Sequence, residues 1–353
     1  MAHSSDLSRP QAQSVRDVLK QQDWGTLLAS LACILALVGV AAAIDSPAER
    51  PFVLYDAAIS YPHSGPSTFH YNVAWLVPLA CLLVTLCIFQ PWLSPGLLSA
   101  LSGALHYFLD AVMTLGTTVV VTHVTKLWVG YLRPDFLARC GPVAPADGLA
   151  HLAWGLDASR DVPACQHPGV SAKDLSDGRM SFPSGHSSAV WSICLYAALY
   201  VVWAADQGGR GSLEASEKSV SPMPRSEGAQ PSSSSRFARE SPTRSRWRLS
   251  PLLRDVLVRA GAHIWALLLL LFAGAVSASR IVDFRHHASD VCGGAFLGSV
   301  LAGLFFWRAA LRYHAVPGIR GQRFSRESSG FASLREGQQE LGEAELSSEL
   351  RGL

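Results

Sequence analysis

The run WGTLLASLACILALVGVAAAI (Trp24–Ile44) holds no charged residue and is bracketed by Asp23 and Asp45. An apolar α-helix needs about 20 residues to cross a hydrocarbon core about 30 Å thick, so this run reads as one transmembrane span. Working outward, the stretch from Ala57 to Leu109 is again uncharged. It has room for a second span near Val73–Leu93 and the start of a third near Leu101–Thr125. A fourth is expected near Gly185–Ala205, a fifth near Ala260–Ile281 and a sixth near Ser289–Leu311. The expected fold is therefore all-α, a bundle of six transmembrane helices with both termini on one side.

Composition agrees. Of 353 residues 49% are hydrophobic and 16% charged, against about 25% charged in soluble domains. A formal net charge of +2 speaks against a nucleic-acid partner, and seven cysteines are too few for a disulfide scaffold. If the N-terminus is cytosolic, 20 of the 29 Lys and Arg fall on the cytosolic side and nine on the other, as the positive-inside rule requires. Residues 1–23 then form a cytosolic N-terminal segment, 24–315 the membrane domain and 316–353 a cytosolic tail. The insert 207–249 is rich in Ser, Arg, Pro and Gly. It carries too little apolar surface to offset chain ordering, so it and the tail are expected to be disordered.

Three polar clusters stand out, because ionisable groups inside a membrane are costly and mark function. KLWVGYLRP places Lys126 and Arg133 at the outer end of the third span. If the helix continues, their separation of two turns puts both cations on one face. SFPSGHSS (Ser181–Ser188) precedes the fourth span and brings Ser184, Gly185 and His186 to a helix N-terminus, where free N–H groups favour an anion. SRIVDFRHHASDV (Ser279–Val291) supplies Arg280, His286 and Asp290. A carboxylate four residues from an imidazole can hold it in one tautomer if both lie on one helix. With six spans all three clusters fall on the non-cytosolic side. Three fixed cations, a helix N-terminus, two histidines and an aspartate suit a phosphoryl group. A metal site is the rival, but three neighbouring cations would repel a divalent ion, so no metal or cofactor is expected.

Read together, K-x6-R-P, P-S-G-H and S-R-x5-H-x3-D occur here in order, as Lys126…Arg133-Pro134, Pro183-Ser184-Gly185-His186 and Ser279-Arg280…His286…Asp290. This pattern resembles the type 2 phosphatidic acid phosphatase superfamily, in particular its lipid phosphate phosphatase branch. The loop ERPFVLYDAAISYP (Glu49–Pro62) is similar to the corresponding loop of the eukaryotic enzymes. The resemblance implies a metal-independent phosphatase acting on phosphatidate, lysophosphatidate or diacylglycerol pyrophosphate through a phosphohistidine. His286 would be the nucleophile, oriented by Asp290, and His186 the general acid. Lys126, Arg133, Ser184, Gly185 and Arg280 would bind the phosphate. Its partners would be the bilayer and a lipid phosphate, with the catalytic face lumenal or extracellular. Endoplasmic reticulum, Golgi, vacuole and plasma membrane all fit, and the oligomeric state stays open. The alternatives are a sphingoid-base or polyprenyl phosphate phosphatase and, from another class, a non-catalytic scaffold or an anion transporter.

Other residues invite simpler readings. His287, beside the nucleophile, is left without a role. His106 and Asp110, four apart in the third span, are expected to satisfy each other. Cys140 and Cys165 are the two cysteines of the outer loop, which leaves a disulfide and two free thiols both open.

Overall fold

A computed structural model of the chain describes residues 14–141, 165, 171–220 and 250–315, apart from 21, 45, 53–55, 64 and 95. Its helices are α1 (Val15–Lys20), α2 (Trp24–Ala42), α3 (Val73–Leu93), α4 (Leu97–Val129), α5 (Phe136–Cys140), α6 (Ala172–Gly178), α7 (Gly185–Val220), α8 (Pro251–Val282) and α9 (Ala288–Ala315). Six of them, α2, α3, α4, α7, α8 and α9, are long and apolar enough to cross a membrane. No strand occurs among the described residues. The all-α, six-span fold expected from charge-free runs is the fold observed. The helix starts follow local chemistry. Asp23 caps α2 by accepting from the Thr26 N–H, and Ser250 caps α8 with Pro251 in its first turn.

One boundary differs. α7 runs on to Val220, so Gln207–Val220 is helical where a disordered insert was expected to begin. Helix formers in that stretch (Leu213, Glu214, Ala215, Glu217 and Lys218) sustain the backbone despite three glycines. Residues 221–249, the N-terminal 13 residues and the tail lie outside the described residues.

The bundle is built around α7. In its apolar portion 72% of residues are buried, against none in the peripheral α2. Small residues allow this. Lipid tails offer helices no hydrophobic drive to associate, so close van der Waals packing must hold them together. On α9, Gly294, Gly298 and Ala302 recur every four residues along one face. A Cβ on Gly294 would lie 2.5 Å from the Ser184 carbonyl oxygen, and one on Gly298 would collide with that of Ser188. The two backbones are thus in contact. Asp290, one turn before Gly294, is set beside the start of α7, where the Ser184 N–H donates to its carbonyl at 2.9 Å.

At the opposite end of the bundle, His106 and Asp110 do not satisfy each other as expected. The His106 Nε2 meets the Ala309 carbonyl at 3.1 Å. Asp110 accepts from the Tyr196 hydroxyl at 3.0 Å and pairs with Arg308. Both are drawn to neighbouring helices because α4 crosses α7 and α9 there.

The open question of the cysteines resolves as a disulfide. Cys140 and Cys165 are bonded, with Cα atoms 4.5 Å apart, and pack with Phe52, Leu132 and Phe136. Closing a 25-residue separation restricts the unfolded chain by about 3–4 kcal/mol in the loop-entropy picture. Cys140→Ser is therefore expected to lower the melting temperature and to leave Cys165 open to alkylation without reductant. Equal thiol labelling of the unfolded parent protein with and without reductant would show that no such bond forms.

Candidate active site

The three clusters meet. α4 and α8 end, and α7 and α9 begin, around one cleft of about 380 Å³ lined by Lys126, Arg133, Gly185, His186, Arg280 and His286. Ser184 and Asp290 lie immediately behind it, each 0% exposed. All eight residues expected to form a site are therefore at one end of the bundle.

Lys126 and Arg133 reach the cleft differently from the helical reading. α4 stops at Val129, because Gly130 caps it in the left-handed region (φ +59°). A side chain there would run into the Ala48 backbone. Arg133 thus arrives on a turn beyond the helix rather than on a shared helical face. Its Nε donates to the Asp177 carbonyl at 2.8 Å and its Nη2 to the Asp177 carboxylate at 2.7 Å. The Lys126 ammonium donates to the Met180 carbonyl at 2.5 Å. Both cations are tied to the segment that leads into α7.

That segment turns through a cis Phe182–Pro183 peptide and delivers Gly185 as the first residue of α7. The free N–H groups of this helix start open on the cleft. The Ser184 hydroxyl, just before it, is buried with no hydrogen-bond partner among the described residues. His186 follows, its ring edge-on to Tyr71 at 5.2 Å between centroids.

Arg280 is 1% exposed. Its Nη2 donates to Asp283 at 2.7 Å, and both Nε and Nη2 reach the Ser279 hydroxyl at 3.1 and 2.9 Å. Asp283 in turn accepts from the Thr68 N–H at 2.9 Å and from its hydroxyl at 2.6 Å. The guanidinium is locked from one side, and its Nη1 points at the His186 Nε2, 3.4 Å away.

Asp290 does not hold His286 as the four-residue spacing suggested. The nearest approach is 3.7 Å, from Nδ1 to Oδ2, too long for a hydrogen bond. α9 begins at Ala288, so His286 precedes the helix and the two do not share a helical face. Asp290 instead satisfies the start of α9, accepting from the His287 N–H at 2.8 Å. The same Oδ2 accepts from the Ser181 hydroxyl at 2.6 Å and faces the His287 Nδ1 at 3.2 Å. The other nitrogen of His287 meets the Ala58 carbonyl at 3.0 Å. Ser181 and His287 are thus partners of Asp290 that sequence reasoning missed. Both lay inside the quoted stretches, but no spacing distinguished them. Arg285, Tyr71, His123 and Ser67 also line the cleft without belonging to any motif.

The two adjacent histidines differ electrostatically. Burial holds the His286 imidazole well below its ordinary pKa. Asp290 opposes this, but the charges of Arg133 and Lys126 add to the lowering. Burial also acts on His287, yet there the Asp290 carboxylate and the Ala58 carbonyl outweigh it and raise the ring. A ring whose pKa is lowered in this way favours the neutral form, which carries a free nitrogen lone pair. The donor set suits an oxyanion, and among the described residues no three His, Cys, Asp or Glu side chains gather to hold a metal ion.

Comparison with known proteins bears on this geometry. The sequence pattern of the PAP2 superfamily matches residues 107–313, a stretch that contains all three clusters. A Drosophila melanogaster protein provisionally named a phosphatidate phosphatase is 29% identical over 185 residues, which is 52% of this chain and 36% of that protein. Diacylglycerol pyrophosphate phosphatase 1 of Saccharomyces cerevisiae is 28% identical over 79% of this chain and 77% of its own length. Human phospholipid phosphatase 2 is 23% identical over 80% and 82%. The chain thus spans about a third of the fly protein and about four-fifths of the other two. No solved structure matches it.

Proposed function

The chain belongs to the PAP2 superfamily, and from that premise we propose that it is a membrane-embedded lipid phosphatase that hydrolyses glycerolipid phosphates through a phosphohistidine on His286. The observation that carries this reading is a buried imidazole facing one cleft with Lys126, Arg133 and Arg280. The His286 Nδ1 is turned toward Asp290, which leaves Nε2 for the cleft. Its lone pair attacks phosphorus in line while the bond to the leaving oxygen breaks. His186 gives that oxygen its proton. The three cations, the Ser184 hydroxyl and the Gly185 N–H hold the equatorial oxygens, where charge gathers. His286 becomes cationic as the P–N bond forms, and the Asp290 carboxylate stabilises it. His186, now neutral, takes a proton from water, whose oxygen attacks phosphorus and breaks the P–N bond. Inorganic phosphate leaves and both histidines return to their starting states.

The substrates we propose are phosphatidate, lysophosphatidate and diacylglycerol pyrophosphate, the last in keeping with the name of the yeast relative. A cleft at one end of the bundle lets a head group be cleaved while its acyl chains stay in the bilayer. A transporter would carry its site nearer mid-membrane. We place the cleft on the lumenal or extracellular side. The Lys and Arg balance supports this, as does the disulfide at the cleft end of the fold, since such bonds persist in oxidising compartments.

The decisive experiment is a panel of these three lipids together with sphingoid-base and polyprenyl phosphates, assayed on purified protein with a metal chelator present. Phosphate release from the glycerolipids, undiminished by chelator, is expected, because side-chain cations supply the positive charge. Strict dependence on added magnesium, or turnover confined to the sphingoid or polyprenyl substrates, would overturn the proposal.

A further inference from the structure

His123 is the one exposed side chain of α4 between Leu101 and Trp128, and it lines the cleft. An ionisable residue within a membrane span is costly unless it faces polar surroundings and does something there. It plays no part in the chemistry described above. It lies three residues before Lys126, so it shares that residue's helical face about 4.5 Å deeper in the membrane. The cleft therefore continues below the phosphate cradle toward the acyl region, and His123 stands along that continuation.

The leaving group must point the same way. His186, which protonates the leaving oxygen, packs against Tyr71, and Tyr71 lines the cleft together with His123 and Ser67. A lipid whose terminal phosphate sits among Lys126, Arg133 and Arg280 sends its remaining atoms past His186 and toward the bilayer. This path follows α4 downward. On a monoester the atoms met there are an ester oxygen and a glycerol carbon, which are weak acceptors. On a lipid pyrophosphate they are the anionic oxygens of the inner phosphate, which reward an imidazole N–H.

We propose that His123 is a specificity-determining residue that donates to the inner phosphate of a lipid pyrophosphate and so favours pyrophosphate over monoester head groups. The inference rests on the phosphatase reading given above and extends it to the choice between two of its substrates. It is tested on the full chain in mixed detergent–lipid micelles by measuring kcat/KM for diacylglycerol pyrophosphate and for phosphatidate. His123→Leu should lose about tenfold or more with the pyrophosphate and no more than about threefold with phosphatidate. His123→Gln, which keeps an N–H donor, should recover most of that loss, a rescue that a purely packing role would not show. Equal losses on both lipids, or none on either, would overturn the inference while leaving the proposed function standing. A parent protein inert toward both lipids would instead overturn the proposed function and this inference with it.

Discussion

His286→Ala is expected to stop phosphate release from every lipid substrate, with a loss of about 10⁴-fold or more in kcat. Removing the nucleophile of a double-displacement enzyme leaves only binding and charge stabilisation behind. The fold should survive. His286 lies in a turn ahead of α9 rather than inside a span, its Nδ1 has no hydrogen-bond partner among the described residues, and its backbone N–H bonds to the Arg280 carbonyl. The variant should insert and purify like the parent protein, and rapid quenching should trap no acid-labile phosphoenzyme. A purified His286→Ala protein turning over within about tenfold of the parent would remove His286 from the nucleophile role.

Asp290→Asn should be nearly as damaging, for a different reason. The substitution keeps the shape of a residue that is 0% exposed but removes the charge that balances His286 once phosphorylated. A loss of about 10³–10⁴-fold in kcat with little change in KM is expected, on the scale seen when the acid behind a catalytic imidazole is neutralised. The contact pattern makes a second readout available. The carboxylate raises the His287 ring against burial, so in the variant burial acts unopposed by it and the His287 pKa should fall. NMR titration of that ring checks the sign. Asp290→Ala should also cost stability, about 3–5 kcal/mol. It would strand the Ser181 hydroxyl and the His287 N–H, which now share one carboxylate. Parent-like kcat in Asp290→Asn would mean that the carboxylate serves the helix cap alone.

Much of this site is legible in the sequence. Lys126, Arg133, Gly185, His186, Arg280 and His286 all stand in the three polar stretches, and all line one cleft. The misreadings share one cause. Both the Lys126–Arg133 and the His286–Asp290 arguments assumed a continuous helix, and in each case the helix boundary falls between the two residues, at Gly130 and at Ala288. Spacing predicts a shared face only within an element, and where an element ends depends on what packs against its end. Ala48 crowds Gly130, and Ser181 and His287 compete for Asp290. The salt links Arg133–Asp177 and Arg280–Asp283 were hidden for a related reason, since any acid in the loops could have been the partner.

The amino-acid order alone determined the number of spans, that the three clusters share one end of the bundle, and which ionisable groups gather there. Those properties follow from the length of apolar runs against the thickness of a bilayer, which can be read along a line. Tertiary packing decided which helix lies at the centre, that Cys140 meets Cys165, that Asp290 leans toward His287, and that His123 opens onto the cleft. Each of these depends on distances between residues remote in the chain, and those distances are set by close-packed surfaces such as the glycine seam of α9 against α7.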